Sequence, residues 1–183
     1  MTGPGDDAGR GDPSLRLVSA LSLVWKRIQR HHPEVPDVVL LPAPAPRGRM
    51  NVLGYFAPVR WRTREAGGQL LHEVVVVAEH LDRSADDIIE TLIHEAAHAL
   101  NGARGIRDCS ANQYHNRKFK AAAEELGLEV TQVRHYGFAV TTLPPHTAEL
   151  YEVERDHLAS VLIHRRKPVR LRPGPKGPAP PPP

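Results

Sequence analysis

The pentapeptide His94-Glu95-Ala96-Ala97-His98 constrains the fold more than any other feature, because the residues around it predict a helix. Apolar residues recur there at helical spacing, and Ser84, followed by two aspartates, is typical of a helix start. On a helix, residues four apart are separated by about 40° around the axis and about 6 Å along it. The His94 and His98 imidazoles can therefore reach one metal ion, with the Glu95 carboxylate beside them.

Two histidines and a glutamate in this pattern point to hydrolytic zinc chemistry. Zinc held by neutral imidazoles keeps an open position for water and lowers the pKa of that water to about 7. A neighbouring carboxylate can accept the released proton. The pattern predicts a zinc hydrolase, most simply a peptidase, with one catalytic Zn²⁺ and Glu95 as general base. A chance match is the competing interpretation in a chain with 11 histidines. The apolar helical setting disfavours it, because buried imidazoles need partners.

A hydrolytic zinc site needs a third protein ligand, and the sequence offers several positions for it. One peptidase class has histidine six residues after His98, but this chain has Arg104 there, which excludes that class. Glu124 and Glu125 precede the end of a downstream helix, on its predicted polar side. His115 lies near the start of the same helix, on its apolar stripe. A lone inward histidine is more often a hydrogen-bonded core residue, but the upstream pair lacks a third donor. This favours His115, with the glutamates as the alternative.

Periodicity and turn residues predict an α+β domain for the rest of the chain. A helix from Pro13 to about Arg30 is expected to begin at the Asp12 cap. Short strands and hairpin turns then predict a small antiparallel-rich sheet of three to four strands. The helix that carries His115 is expected to begin near residue 110 or 112 and to end at Gly127. The other predicted elements are strands over 38–41, 52–56, 59–64, 70–78 and 138–142, a loop over 101–108, and a last helix over 147–163 capped by Thr147.

Composition predicts one folded domain between two polar ends. A length of 183 residues suits one domain, which we expect over residues 12–163. Residues 1–11 are rich in Gly and Asp, and residues 164–183 are basic and rich in Pro; both segments are expected to be disordered. The tail contains six basic residues and no acidic one, so it carries more positive charge than the net +3 of the whole chain, and the rest of the chain is net acidic. The tail is a candidate for nonspecific contact with DNA phosphates, the alternative being a solvated terminus without a partner.

Other features narrow the class of protein. Cys109 is the only cysteine, which excludes intramolecular disulfides and a four-cysteine zinc ribbon. The chain has neither an apolar run of about 18 residues nor a signal peptide at its start. We therefore expect a cytoplasmic protein without membrane contact. We also expect a monomer that acts on a protein or peptide substrate. Asp108 is a candidate to orient a ligand imidazole or to cap a loop. Tyr114 and Tyr136 are candidates for core packing or for an oxyanion donor.

Three segments together resemble the SprT-like metalloprotease family, which is the Spartan-related family of zinc peptidases. The segments are residues 91–100, which contain the two histidines and the glutamate, residues 114–119, and residues 123–128. The order of the preceding helix, strands and turn also fits, so the resemblance covers roughly residues 13–142.

The resemblance implies a minimal zincin-like domain, in which the first metal helix is followed by a helix carrying the third ligand. It implies that His94, His98 and His115 bind zinc, that Glu95 is the general base, and that proteins bound to DNA are the substrate class. Many bacterial relatives end in a cysteine-rich zinc ribbon that this chain cannot form, which leaves the basic tail as the candidate substitute. The alternative is a zinc-stabilised DNA- or protein-binding domain without turnover, and a weaker one is a zinc hydrolase of a non-peptide amide.

Overall fold

The computed structural model describes residues 12–64, 67–110, 112–164 and 166–167. The predicted N-terminal segment 1–11 and most of the predicted tail 164–183 lie outside these ranges. The described part is a mixed α+β structure, as the sequence predicts. Its elements are α1 (Pro13–His31), β1 (Val38–Ala43), β2 (Gly54–Arg62), β3 (Leu70–Val77), α2 (Ala85–Ala103), α3 (Arg117–Glu125), β4 (Glu129–Val133), β5 (Gly137–Thr142), α4 (Pro145–Ala148) and α5 (Glu152–Val161), with 3₁₀ turns over Ala78–His80 and Glu149–Tyr151.

The larger sheet has the strand order β1-β3-β2, and its central strand is β3. The run of four valines in β3, residues 74–77, is fully buried, as expected of a central strand. β2 pairs with β3 antiparallel, but β1 pairs with β3 in parallel. The sheet has the predicted number of strands, but it is mixed, with one antiparallel and one parallel pair, where the sequence predicts mainly antiparallel pairing. β2 lies between β1 and β3 in the chain, so no hairpin turn sets the direction of β1.

β2 is one continuous strand where the sequence predicts two. Pro58 suggests a break because proline has no backbone N–H to donate. In this edge strand the break is only a register irregularity between Ala57 and Trp61. There Val59 has a φ of 55° and donates its N–H to Nδ1 of His72 at 3.1 Å. An edge strand tolerates such a bulge because one of its sides has no ladder to disrupt.

The first two helices begin at the predicted caps. The Asp12 side chain accepts the N–H of Ser14 at 2.8 Å at the start of α1. At the start of α2, the Ser84 hydroxyl accepts the Asp87 N–H and the Asp87 carboxylate accepts the Ser84 N–H, both at 3.1 Å. This reciprocal capping box satisfies two backbone donors that the helix itself leaves free.

α2 continues to Ala103, past the point where Asn101 and Gly102 predict a loop. Asn101 is only 2% exposed. Its side-chain amide donates to the Asp108 carboxylate at 3.0 Å and to the Lys118 carbonyl at 3.2 Å. A Cβ atom at Gly102 would lie 3.3 Å from the ring of Phe56, so the glycine lets β2 approach the helix closely. Tertiary contacts thus override the local tendency of these residues to end a helix.

The C-terminal part differs from the predicted single helix. It is divided into α4, a 3₁₀ turn and α5, and Thr147 is not a cap. The Thr147 hydroxyl instead donates to the carbonyl of Gly127 at 2.7 Å, just after α3. The sequence also misses β4, which pairs antiparallel with β5 in a separate hairpin.

The core lies where α1, α2, α3 and α5 pack together and against the larger sheet. Arg166, within the predicted tail, also contacts this body. Its N–H donates to the Ala78 carbonyl at 3.0 Å, and its guanidinium bonds the buried Glu79 carboxylate at 2.7 Å. None of the helices in the described ranges has the length and apolar character needed to cross a bilayer.

Candidate metal centre

The structure brings His94, His98 and His115 together. One turn of α2 supplies the first two, and the segment that leads into α3 supplies the third. One ring nitrogen from each lies within 4.8 Å of the others, and Nε2 of His98 lies 3.1 Å from Nε2 of His115. The three residues predicted as ligands thus form a group that is able to hold a metal ion.

His115 lies before α3 and not on it, so the predicted helical placement of the third ligand is wrong. The helix begins at Arg117 because the Asn116 side chain caps it, accepting the Lys118 N–H at 2.7 Å. The backbone of His115 is bonded to the segment around Gly137 through both its N–H and its carbonyl. Its N–H donates to the Tyr136 carbonyl at 3.0 Å, and its carbonyl accepts the Phe138 N–H at 2.9 Å. The turn before β5 therefore fixes the position of this candidate third ligand.

His98 is oriented by a carboxylate. Its Nδ1 lies 2.9 Å from Oδ2 of Asp108, which also accepts from the amide of Asn101. Burial opposes ionisation of Asp108, but the bonds from His98 and Asn101 outweigh it and lower the pKa of this carboxyl. An ionised carboxylate only accepts hydrogen bonds, so Nδ1 of His98 carries a proton, and in the neutral ring Nε2 keeps its lone pair. Of the two roles predicted for Asp108, the structure favours orientation of a ligand imidazole.

The other two rings are oriented in the same sense. Nδ1 of His115 lies 3.0 Å from the backbone carbonyl of Gln113, which is an obligate acceptor. Nδ1 of His94 lies 3.4 Å from the hydroxyl of Thr141. Each ring thus has a partner for Nδ1, which leaves its Nε2 atom for the centre of the group.

This donor set fits zinc. Four-coordinate zinc with Zn–N bonds of about 2.0–2.1 Å separates its nitrogen ligands by about 3.3 Å, close to the 3.1 Å between the His98 and His115 nitrogens. With both Nδ1 atoms protonated, the two Nε2 lone pairs face each other, and a shared proton or cation relieves their repulsion. Three imidazoles also leave a fourth position open, as a hydrolytic zinc requires.

The apolar ring of Phe119 packs against all three imidazole rings. Its ring centroid lies 4.6 Å from that of His94, 4.6 Å from that of His98 and 4.5 Å from that of His115. The side chain is fully buried. It excludes water from one side of the group, which strengthens electrostatic interactions there.

Burial dominates the electrostatics of the group. Together with the neighbouring rings, burial holds the pKa of His94 well below its ordinary value. Burial and then the charge of His98 lower the pKa of His115 to about 4. At His98 burial acts in the same direction, but the Asp108 hydrogen bond and the charge of Glu95 outweigh it and raise the pKa. His94 and His115 are thus neutral near pH 7, as metal ligands must be.

Glu95 lies beside the group, between α2 and the edge strand β2. Its side chain is buried, and burial raises its pKa to about 7, although the charge of His98 and the backbone N–H of Phe56 act in the opposite direction. A Cβ atom at Gly54 would lie 3.3 Å from Oε1 of Glu95, so this glycine lets β2 pass close to the carboxylate. A carboxyl whose pKa lies near 7 is suited to take up and release a proton.

The alternative third ligands lie elsewhere. The Glu125 carboxylate receives two bonds of 2.8 Å from the guanidinium of Arg104, the position that excluded one peptidase class. Glu124 pairs with Lys120 one turn earlier on α3. Neither glutamate belongs to the ligand group found among the described residues.

The two tyrosines and the cysteine that the sequence singles out differ from the three histidines in their exposure and contacts. Tyr114 and Tyr136 are 41% and 54% exposed, so the prediction that they pack in the core is wrong. Cys109 is half-buried, and burial followed by the charge of Asp108 raises the pKa of its thiol. It is not part of the ligand group found in the described ranges.

Sequence reasoning missed three residues that support the group. Glu90 and Thr141 lie behind His94, and Gly137 lies against the backbone of His115. Glu90 precedes His94 by four residues, so helical spacing places both on one face and was a usable signal. Thr141 is 47 residues from His94, and no local pattern connects them.

Fold and site together define a mixed α+β protein with a three-histidine group able to hold a metal ion. The family model described as the SprT-like family matches residues 56–142, which run from β2 to the end of β5. The recognition made from the sequence is confirmed by this match, which is consistent with a member of the SprT-like family. This is consistent with a metallopeptidase-type domain. No curated protein and no solved structure matches the chain significantly.

Proposed function

We propose that this chain is a zinc-dependent endopeptidase built on a minimal zincin-like domain. What carries the proposal is the convergence of His94, His98 and His115, with each Nδ1 facing a partner and each Nε2 left for the centre. The buried Glu95 carboxyl beside them supplies the acid–base group that hydrolysis needs.

The residues have separate roles in amide hydrolysis. A bound zinc ion would polarise the scissile carbonyl and make water acidic enough to ionise near neutral pH. His94, His98 and His115 would hold that ion. Glu95 would take the proton from the attacking water and pass it to the leaving nitrogen, which needs a carboxyl whose pKa lies close to the working pH. Phe119, which contacts all three imidazole rings, would keep water away from one side of the group.

The edge strand β2 supports a peptide as substrate. Extended peptides add to the open edge of a sheet through main-chain hydrogen bonds. In the part of the chain that the structure describes, β2 pairs only with β3, and its Gly54–Ala57 portion passes beside Glu95. The bulge at Val59 limits the regular edge to this portion. An extended substrate seated here would lie next to the proposed base.

The third ligand gives the first test of the proposal. Wild-type protein is expected to bind one zinc ion per chain and to cleave unfolded casein, while His115→Ala loses both properties. The matched control is His157→Ala, which removes an exposed histidine of α5. Metal analysis after dialysis and gel-based cleavage assays measure the outcome. Equal zinc content in wild type and His115→Ala would contradict the assignment of this ligand.

We also propose that residues 164–183 contact DNA nonspecifically, so that proteins on DNA are the substrate class. Most of this segment lies outside the described residues, and its charge pattern supports the proposal. Removal of 168–183 eliminates three basic residues and keeps the contact of Arg166 with Glu79. The slope of log affinity against log salt should then become shallower by up to about 3 for duplex DNA. An unchanged slope in a fluorescence titration would show that the tail does not contact the DNA.

We further propose that the protein is a cytoplasmic monomer. Light scattering would check the oligomeric state, and cell fractionation would check the location.

A further inference from the structure

The β4–β5 hairpin reaches the metal centre through Thr141. The hydroxyl of this residue lies 2.8 Å from Oε1 of Glu90 on α2 and 3.4 Å from Nδ1 of His94. The three groups form a chain that runs from a carboxylate through a hydroxyl to an imidazole. This chain joins the hairpin to the helix that carries two of the three candidate ligands.

The direction of the hydrogen bonds follows from the chemistry of the end group. An ionised carboxylate only accepts, so the Thr141 hydroxyl must donate its single proton to Glu90. Its oxygen then has only lone pairs to offer to His94, which makes Nδ1 of His94 the protonated nitrogen. Without Glu90, the hydroxyl could turn its proton toward His94 and favour the opposite tautomer, in which Nε2 carries the proton and cannot bind a metal.

At the other two imidazoles, the partner of Nδ1 also favours the tautomer with the proton on Nδ1. His98 faces the Asp108 carboxylate and His115 faces the Gln113 carbonyl, and each of these partners is an acceptor by itself. A hydroxyl is not, because it both donates and accepts. His94 is therefore the one ring of the three whose partner needs a second residue to fix its role.

Glu90 is held at this place by its surroundings. It precedes His94 by one helical turn and is half-buried at the junction of α2 and β5. Burial raises the pKa of this carboxyl, while the Thr141 hydrogen bond and the charge of Arg83 act against the rise. Arg83 itself is fixed by bonds of 3.1 Å to the Thr91 hydroxyl and the Asp87 carbonyl. The hydroxyl and the arginine thus act in favour of the ionised form of Glu90, against burial and the charge of Asp87, which together keep the pKa raised.

We propose that Thr141 and Glu90 are positioning residues that fix the tautomer and orientation of His94 for metal binding. The inference rests on the proposed zinc site and adds to it a dependence on the β4–β5 hairpin. Loss of a group that orients a metal-ligating histidine weakens metal binding by about 10–100-fold. The effect should appear in the metal affinity itself and not only in turnover.

The test compares three variants of the full chain. Thr141→Val replaces the hydroxyl by a methyl group of similar size and is expected to weaken zinc binding about 10–100-fold. Thr141→Ser keeps the hydroxyl and should stay within about 3-fold of wild type. Thr142→Val, the control, makes the same change at the exposed neighbour. Zinc affinity is measured by competition with a chelator, and the melting temperature of each metal-free protein is recorded beside it.

A double-mutant cycle tests whether the two residues act together. Glu90→Gln should weaken zinc binding less than Thr141→Val, because its amide oxygen can still accept a hydrogen bond. The double variant should bind zinc no more weakly than Thr141→Val alone, since the link is already broken. Long-range proton–nitrogen spectra of the zinc-loaded proteins should show Nδ1–H at all three rings in wild type.

The outcomes separate this inference from the proposed function. Wild-type protein that binds no zinc overturns both. Wild-type protein that binds zinc, with Thr141→Val unchanged in affinity, overturns the positioning role alone. A loss of affinity that is shared equally by Thr141→Ser, or that follows only the metal-free melting temperatures, also overturns it, because a merely structural role predicts that result.

Discussion

Glu95→Gln is expected to keep its zinc and to lose hydrolysis of a protein substrate by about 10²–10⁴-fold. The amide has nearly the shape of the carboxyl, so the fold around it should be preserved. Glu95 lies outside the three-histidine group, and its replacement removes no ligand. The side chain is buried with a pKa raised to about 7, and an uncharged amide is not costly there. The amide cannot accept the proton of the attacking water.

The measurement pairs zinc content with initial rates of casein cleavage. Glu152→Gln is the matched control, because it makes the same change on the exposed face of α5, where the carboxylate lies 3.7 Å from Arg155. His98→Ala provides the contrast, since it is expected to lose both zinc and turnover. Undiminished cleavage by Glu95→Gln would refute the assignment of the base. No cleavage by wild type, with zinc bound, would favour the zinc-stabilised binding domain instead.

The part of the site that lies on one helix could be predicted because local rules fix it. Spacing of four residues places His94 and His98 on one face, and the Ser84 cap determines where α2 begins. Neither depends on the rest of the chain. That His115 joins the other two histidines could also be predicted from its residue type, but its backbone conformation could not. The same capping rule, applied to Asn116, would have started α3 at Arg117 and left His115 outside the helix.

The remaining parts of the site depend on tertiary contacts that no local pattern encodes. The parallel pairing of β1 with β3 requires a crossover, and sequence periodicity shows only that both are strands. Thr141 meets His94 across 47 residues because β5 packs beside α2. β4 was missed because its residues are mostly exposed and show little apolar alternation. The hairpin that contacts two of the three candidate ligands was thus the least predictable part of the centre.

Gly137→Ala is expected to weaken zinc binding by at least 10-fold and to lower the free energy of unfolding by about 2–4 kcal/mol. Gly137 has a φ of 65°, and a Cβ atom on it would lie 2.1 Å from the carbonyl oxygen of His115. The backbone of His115 would have to move away. The hydrogen bonds that join it to Tyr136 and Phe138 hold it in place, so the movement would disturb both and shift the third ligand.

The matched control for this change is Gly105→Ala. Gly105 has nearly the same φ, 67°, but nothing lies within 4 Å of an added Cβ. Both variants bear the cost of a side chain in the left-handed region, about 1–2 kcal/mol. Only Gly137→Ala adds the collision with His115. Chelator competition and chemical denaturation of metal-free protein therefore separate backbone strain from displacement of the ligand. Equal zinc affinities in the two variants would mean that the turn before β5 does not hold His115 in its binding position.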